Sequence, residues 1–519
     1  MGTLPDLPYS DGIRKYTSVQ FGGLAHTRGA SDGMIWWMEN LSSDDYPVLS
    51  PRKPRRLSRT LTKPNGMYCR DGVYYVDGTG FYLGGVKKGD VADNRKRFGC
   101  LGAYIIILPD KAYFNTATGE FGALEASWEG GCTIRDGTYA GEAAKANTVY
   151  AAGADFTALF RPGDAVTIAG AAKHPANNQT IIVREVTATE LRFYENSFSI
   201  GSDGDTETLT LSRDVPDMDF LCENENRLWG CKGDTIYASK LGDPFNWNVF
   251  DGVATDSYAV TVGSAGDFTA CVSYLGYPVF FKEDMIYKVY GDRPATFQVM
   301  SSASLGVAKG ADRSLAVAGE VLYYLSRAGI VAYSGGIPSS VAAPFGELRF
   351  SDAVAGSDGV KYFVSMKSGT AWHLFVYDSQ KGLWHREDGT QALDFGWDGS
   401  LYLLTASGLL WGGTGGTEEA NVASLCEFAD FVEGNPNRKG TAKLQLRGEL
   451  DAGASLTVAM QFDSDGVWRE VSVLTASVKR SWYLPIIPRR SDHFRIRLTG
   501  TGMWRLYSLT REHYIGSEL

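Results

Sequence analysis

One short pattern recurs along this chain and limits what it can fold into: an apolar strand, a tight turn and a second apolar strand, punctuated by glycine. It stands at positions 72–84 (GVYYVDGTGFYLG), 227–239 (RLWGCKGDTIYAS), 278–291 (PVFFKEDMIYKVYG), 320–333 (EVLYYLSRAGIVAY) and 400–412 (SLYLLTASGLLWG). Each copy reads as a hairpin, with Gly233-Asp234, Glu283-Asp284, Ala328-Gly329 and Ser407-Gly408 as turn pairs. The spacing constrains more than any single copy. First-strand anchors at Leu228, Val279, Val321, Tyr362 and Leu401 are separated by 51, 42, 41 and 39 residues. A period of about 40–50 with several strands per repeat is the signature of β-propeller blades. Such blades cannot bury both faces alone, and ring closure covers them. Further units near Tyr74 and at 104–108 bring the expectation to about six or seven blades. A pair of β-sandwiches with incidental hairpins is the alternative.

Composition agrees with an all-β chain. Gly 61, Tyr 27, Phe 25 and Trp 12 in 519 residues combine turn formers with strand formers. The length suits two to four domains. With 44% hydrophobic and 21% charged residues the chain affords a real core. No long segment carries a 3.6-residue period. The longest apolar run, near 104–109, is far short of the ~20 residues that span a bilayer, and no membrane span is expected. The opening, Met1 to Asp11, lacks a basic-then-apolar signal pattern. Seven scattered cysteines without a CxxC read as buried free thiols of a reducing compartment.

Texture divides the chain. Residues 1–125 read as an N-terminal arm and the first blades. Residues 126–214 lose aromatics and gain Ala, Gly, Thr and Asp; alternation around 160–170, 180–186 and 190–194 predicts a small β domain inserted in a loop. Residues 215–415 carry the remaining blades. After the Gly-rich stretch 412–419, six alternating segments in residues 416–519 predict a C-terminal β-sandwich.

A search for chemistry finds none. The six histidines form no HxH, HExxH or HxxxH pair, and no GxSxG elbow, phosphate loop or dinucleotide fingerprint is present. The acidic turns 201–205 and 464–466 lack the twelfth-position Glu of a calcium loop. No catalytic residue, metal or cofactor is expected. One charge cluster stands out: Arg52, Lys53, Arg55, Arg56, Arg59 and Lys63 follow one another with no acid between, and Pro51 and Pro54 keep them extended. Arg52, Lys53, Arg55, Arg56 and Arg59 are the candidate contact to a neighbouring subunit or adaptor; a phosphate backbone and plain solvation are the other readings. A second cluster, Lys479, Arg480, Arg489, Arg490, Arg495 and Arg497, interleaves with Trp482, Tyr483 and Phe494 and reads as a strand's outer face used for protein contact.

Several segments resemble tailed-bacteriophage tail proteins. They are FGGL at 21–24, Asp32-Gly33, MENLS at 38–42 with YPVLSPR at 46–52, ENRLW at 225–229 with LGDPFNW at 241–247, and IPRRSDHFRIRL at 487–498 with Trp504 to Tyr507. The resemblance is to the nozzle and packaged-DNA-stabilisation proteins of short-tailed phages, and does not touch the 126–213 stretch. It implies a non-enzymatic virion protein, made in the host cytoplasm and assembled into the tail. As a homo-oligomeric ring, typically a hexamer, it extends the DNA channel, retains the genome until adsorption, and docks adaptor and fibre or needle proteins. Double-stranded DNA then passes without sequence-specific binding, and a net charge of −10 fits a lumen that repels it. A tail-tip or baseplate part of a long-tailed phage is the alternative within this class. A carbohydrate-binding propeller, with Trp372 and Trp384 exposed for stacking, is the alternative outside it.

Overall fold

A computed structural model describes residues 12–514 except 28, 31, 139–142, 195, 202–203, 421, 435–436 and 488. The opening eleven residues, read above for a signal pattern, and Ser202 and Asp203 of the first acidic turn lie outside the described residues. The protein is all-β. Its helical content among the described residues is a set of three-residue 3₁₀ turns, and no helix is long and apolar enough to cross a membrane. The chain divides into two compact units: Asn65–Tyr68 with Gly72–Asp312, and Met1–Pro64 with Cys69–Asp71 and Arg313–Leu519.

Each of the five recurring patterns is a hairpin, and each supplies the inner two strands of a small antiparallel sheet. Seven such sheets follow one another. The first comprises Pro64–Cys69, Val73–Asp77, Gly80–Leu83 and Val86–Asp90; the second Arg97–Leu101, Tyr104–Leu108, Ala112–Asn115 and Phe121–Ala123. The third runs through Phe220–Asn224, Arg227–Lys232, Thr235–Ala238 and Tyr258–Thr261, and the fourth through Ala270–Tyr274, Tyr277–Phe281, Met285–Tyr290 and Gln298–Ala303. Ala316–Ala318, Val321–Ser326, Gly329–Tyr333 and Ser339–Ser340 form the fifth; Ala353–Ser357, Lys361–Ser368, Ala371–Asp378 and Leu383–Arg386 form the sixth. The seventh joins Ala392–Trp397, Leu401–Thr405 and Leu409–Trp411 to Arg56–Thr60, with Thr417–Glu418 beyond. Three of the predicted turn pairs place a glycine at positive φ (Gly233, Gly329, Gly408). At Glu283-Asp284 neither residue does so, and the Lys282 N–H donates to the Met285 carbonyl across the turn instead.

The strands read as continuous apolar runs because both faces are covered. In Tyr104–Leu108, Ile105 and Ile107 pack with Tyr74, Val76 and Phe81 of the first sheet. Ile106 and Leu108 turn the other way, onto Leu228, Met218 and Phe245. Leu228 and Trp229 divide likewise: Leu228 meets the second sheet, while Trp229 joins Cys271, Phe280 and Tyr287 of the fourth. Period-2 alternation thus stacks sheets face to face in chain order. In the other unit, Tyr323 of the fifth sheet lies 5.3 Å from Tyr362 of the sixth, and Phe395 and Trp411 of the seventh pack on Leu374 of the sixth.

Between the second and third sheets, six strands from Ala126–Gly137 to Asp205–Arg213 close into a barrel around Val149, Val166, Val183, Leu191, Phe193 and Leu209. Its first and last strands are register partners, Ala126 opposite Arg213, so the chain leaves where it entered. Two larger sheets complete the second-named unit. One orders Ile13–Ser18, Trp504–Tyr514, Lys439–Leu450 and Arg480–Leu484; the other orders Ile35–Glu39, Ala423–Phe428, Phe494–Thr501, Ser455–Phe462 and Arg469–Leu474. Their inner faces meet: Trp504 Nε1 donates to Ser424 Oγ at 2.9 Å, and the Phe494 ring lies 5.5 Å from His513. Residues read as an N-terminal arm are therefore shared out, two strands to these paired sheets and one to the seventh small sheet. Local patterning carries no sign of this, because the partners lie hundreds of residues away.

Candidate interaction site

The basic run folds into a clasp. Its residues follow a strap, positions 38–55, whose polar side chains are tied in turn to the sixth sheet and to the paired sheets. Glu39 Oε1 accepts from Arg386 at 2.7 Å, Ser43 Oγ donates to Asp378 at 2.6 Å, Asp44 pairs with Lys361, and Asp45 accepts from Arg505 Nε at 3.0 Å. Asn40, at φ 52°, donates from Nδ2 to the Ala423 carbonyl and accepts from Arg52 Nε through Oδ1 at 2.8 Å. The MENLS and YPVLSPR segments are the sequence of this strap.

Of the five candidate contact residues, two turn inward. Arg52 is buried and grips Glu419 with both terminal nitrogens, at 2.8 and 3.0 Å, with Glu387 and Asp388 each 3.7 Å away. Arg55 pairs with Glu387 at 2.5 Å and Asp388 at 2.9 Å. Burial disfavours the Asp388 and Glu419 carboxylates, yet Arg55 at the first and Arg52 at the second outweigh it and hold both below the usual range. Burial likewise works against the Arg55 charge, and Glu387 and Asp388 overcome it, raising its pKa. Lys53, Arg56 and Arg59 point to solvent, with Arg56 3.6 Å from Glu418 on a pair that is about half exposed. The structure thus brings Arg52 and Arg55 together around three acids and leaves Lys53, just before the strand Arg56–Thr60, and Arg56 and Arg59, on it, exposed. Sequence reading missed Glu387, Asp388 and Glu419. Their signal was two adjacent acid pairs, 387–388 and 418–419, opposite a basic run that holds no acid of its own.

A second brace holds the barrel. Asp164 and Arg213, both buried, form an ion pair inside it. Asn246 Nδ2 donates to Asp164 Oδ1 at 3.0 Å, and Asn246 Oδ1 accepts from the Ala165 N–H at 2.8 Å. Phe245 lies under Arg161 and Arg213, whose guanidinium carbons are 4.6 and 5.2 Å from its ring centre. Phe245 and Asn246 belong to LGDPFNW. Its companion ENRLW supplies Arg227, which donates to the carbonyls of Ser239, Asp256 and Ala254 and so closes the loop that presents Asn246. The two quoted segments are therefore one construction.

The second basic cluster lies as read for Arg495 and Arg497, on the outer face of Phe494–Thr501, where they pair with Asp430 at 2.5 Å and Glu427 at 2.8 Å. Trp384 departs from its reading: it is 1% exposed, packed on Phe345, Phe375 and Tyr377, so it offers no stacking surface; Trp372 is half-buried. Among the described residues, one trio has metal-ligand groups in reach of each other, Asp463, Asp492 and His493. His493 is already hydrogen-bonded to Asp492 and, through Nε2, to Ser464 at 2.8 Å. All seven cysteines are free; the thiol contact with Cys271 together with burial raises the Cys222 pKa well above its ordinary value, and burial above all does the same for Cys271, so both are neutral packing groups.

No known protein family matches this chain, and no curated protein does. Solved structures with a partial likeness include the exo-β-1,3-galactanase of Phanerochaete chrysosporium (10% identity, 56% of this chain and 94% of that one, TM-score 0.21). Others are an exported protein of Bacteroides fragilis (9% identity, 53% and 83%, TM-score 0.26) and a bifunctional GH43-CE protein of Bacteroides eggerthii (9% identity, 57% and 62%, TM-score 0.21). These superpositions are too loose to carry a fold or an activity across.

Proposed function

We propose that this chain is a structural protein of a bacteriophage tail, the subunit of a nozzle or hub ring that extends the DNA channel, retains the genome and docks distal tail parts. In this reading the seven small sheets are blades of one β-propeller, the barrel is a mounted platform and the paired sheets are a β-sandwich. The observation that carries it is where the tail-like segments fall. MENLS and YPVLSPR form the strap, and ENRLW and LGDPFNW supply the residues outside the barrel, Arg227, Phe245 and Asn246, that hold its Asp164–Arg213 pair in the brace. Their polar residues hold sheets together, which is what a mechanical part requires. The seventh sheet adds support: it unites late strands with Arg56–Thr60, and sharing one blade between distant stretches of chain is how a ring of blades is locked shut.

The partner contacts assigned to the basic run fall to Lys53, Arg56 and Arg59, which are exposed, since Arg52 and Arg55 turn inward onto Glu387, Asp388 and Glu419. Native mass spectrometry and negative-stain imaging of the purified chain test the reading. Closed rings are expected, and the triple variant Lys53→Glu, Arg56→Glu, Arg59→Glu yields folded monomers. A chain that stays monomeric at micromolar concentration and fails to sediment with virions overturns it.

A further inference from the structure

A cleft of about 280 Å³ opens between the sixth and seventh sheets beside the strap. Two cross-strand rows form its walls. On the sixth sheet Phe363 is paired with Val376 and Val376 with His385. On the seventh, Phe395 is paired with Leu403 and Leu403 with Trp411. Five of these six side chains are apolar and three are aromatic. The sixth, His385, is 4% exposed, and its Nδ1 is buried with no hydrogen-bond partner. Leaving such a group unpaired costs about 1–3 kcal/mol, so the site is polar in a place where packing alone would prefer a hydrocarbon. Burial and, secondarily, the Lys361 charge push the imidazole pKa down to about 4, so at neutral pH it offers one donor and one acceptor. The mouth carries both signs: Arg55, Arg56, Lys53 and Lys361 beside Asp44, Asp358 and Glu387.

We propose that this cleft is a binding site for a sugar ring. The chemistry selects that class among small ligands. A purely apolar or aromatic ligand fills the two rows but leaves His385 Nδ1 unsatisfied. An anion is disfavoured because two of the four mouth cations are already matched, Arg55 by Glu387 and Asp388 and Lys361 by Asp44, and because Asp44, Asp358 and Glu387 repel it from the same lining that holds Lys53 and Arg56. A pyranose presents a C–H face to Phe363, Phe395 or Trp411, and its hydroxyls both donate and accept, as His385 and a mixed-charge mouth require. The volume, at the low end for ligand pockets, suits a single ring or the end of a chain. This inference is independent of the ring reading: a ring former that ignores sugars overturns only the cleft, and a monomer that binds them overturns only the ring.

Saturation-transfer NMR on the full chain tests it, with methyl glucoside, methyl galactoside and N-acetylglucosamine as probes and inorganic phosphate and indole propionate as comparators. Saturable binding of at least one sugar is expected, in about the millimolar range typical of a few hydrogen bonds and one stacked face. His385→Leu removes the orphan polar atom while keeping the wall filled, so its melting temperature holds at neutral pH, and sugar binding falls at least tenfold. Phe363→Ala gives a second reading, weakening the sugar signal without abolishing the fold. Sugar binding unchanged in folded His385→Leu, no saturable signal for any sugar, or saturation by phosphate or indole propionate alone overturns the proposal.

Discussion

The third and fourth small sheets and the paired sheets are both antiparallel β-structure, yet they are assembled in opposite ways. Each of these two small sheets is a run of consecutive strands, such as Phe220 to Thr261, and every pairing within it is between sequence neighbours. The paired sheets take Ile13–Ser18 and Ile35–Glu39 from one part of the chain and the rest from beyond position 422, with Ile13 opposite Tyr514. The first kind needs only a hairpin and a stacking neighbour. The second closes a long loop before any contact repays it. Charge is distributed accordingly: the strap and clasp, with Arg52 and Arg55 among Glu387, Asp388 and Glu419, sit where distant segments must be held. The barrel brace plays the same part for a module whose own strands are all local.

The largest effect in this contrast comes from removing residues 1–62. That deletion takes Ile35, Met38, Leu41 and Leu49 from buried positions and a strand from the seventh sheet. At about 2–5 kcal/mol for each large buried side chain lost, the four together match the ~5–15 kcal/mol that holds a domain folded. Limited proteolysis should then digest the paired sheets while Gly72–Asp312 resists; equal digestion of both breaks the comparison. Next come the two braces. Arg52→Met strands Glu419 and its neighbours, and Arg213→Met strands buried Asp164, each costing about 3–5 kcal/mol in urea unfolding. A cost under about 1 kcal/mol at either site places that brace with ordinary surface pairs.

Acid titration sharpens the same comparison. The folded-state pKa of His385 is about 4 against 6.5 unfolded, so the unfolded chain binds the proton first as pH falls. Stability is full above pH 6.5 and declines toward pH 4 by up to about 3 kcal/mol. His373, lowered by burial and Arg386 to about 4, adds to the same window. The groups acting on His385 are Lys361, Asp378, Lys381 and Asp44. His385→Leu should remove its share of the decline between pH 6.5 and 4, read by thermal melts. The depressed carboxylates Asp388 and Glu419 act lower: their stabilisation is present above about pH 4 and is lost as pH falls through their folded values, so it survives in that variant. The smallest effect is expected from excising the barrel. Because Ala126 and Arg213 are register partners, a short Gly-Ser link joins their neighbours without strain. The remaining chain should melt within a few degrees of the parent, and a collapse of the third sheet would instead make the barrel part of the core.

Much of the small-sheet architecture was legible because it is written in neighbours. The hairpins, their turn glycines and their period are local properties, and the barrel occupies the stretch where texture changes, with strands from Ala126 to Arg213. The clasp was half legible. An uninterrupted basic run announces a counter-charge but not its address, and the acids at 387–388 and 418–419 lie more than three hundred residues away. Trp384 shows the converse: an aromatic read as exposed is covered, because Phe345 comes to it from the 3₁₀ turn Ala343–Phe345.

What the sequence alone determined is the strand content and the repeating hairpin, since alternation and turn chemistry act over a few residues. Tertiary structure alone decided which arginines face inward, which strands the chain's first sixty residues join, and that His385 stands among hydrocarbons with a nitrogen unpaired. Those outcomes depend on which distant surfaces meet, and burial, which sets both charge state and hydrogen-bond need, does not exist until they do.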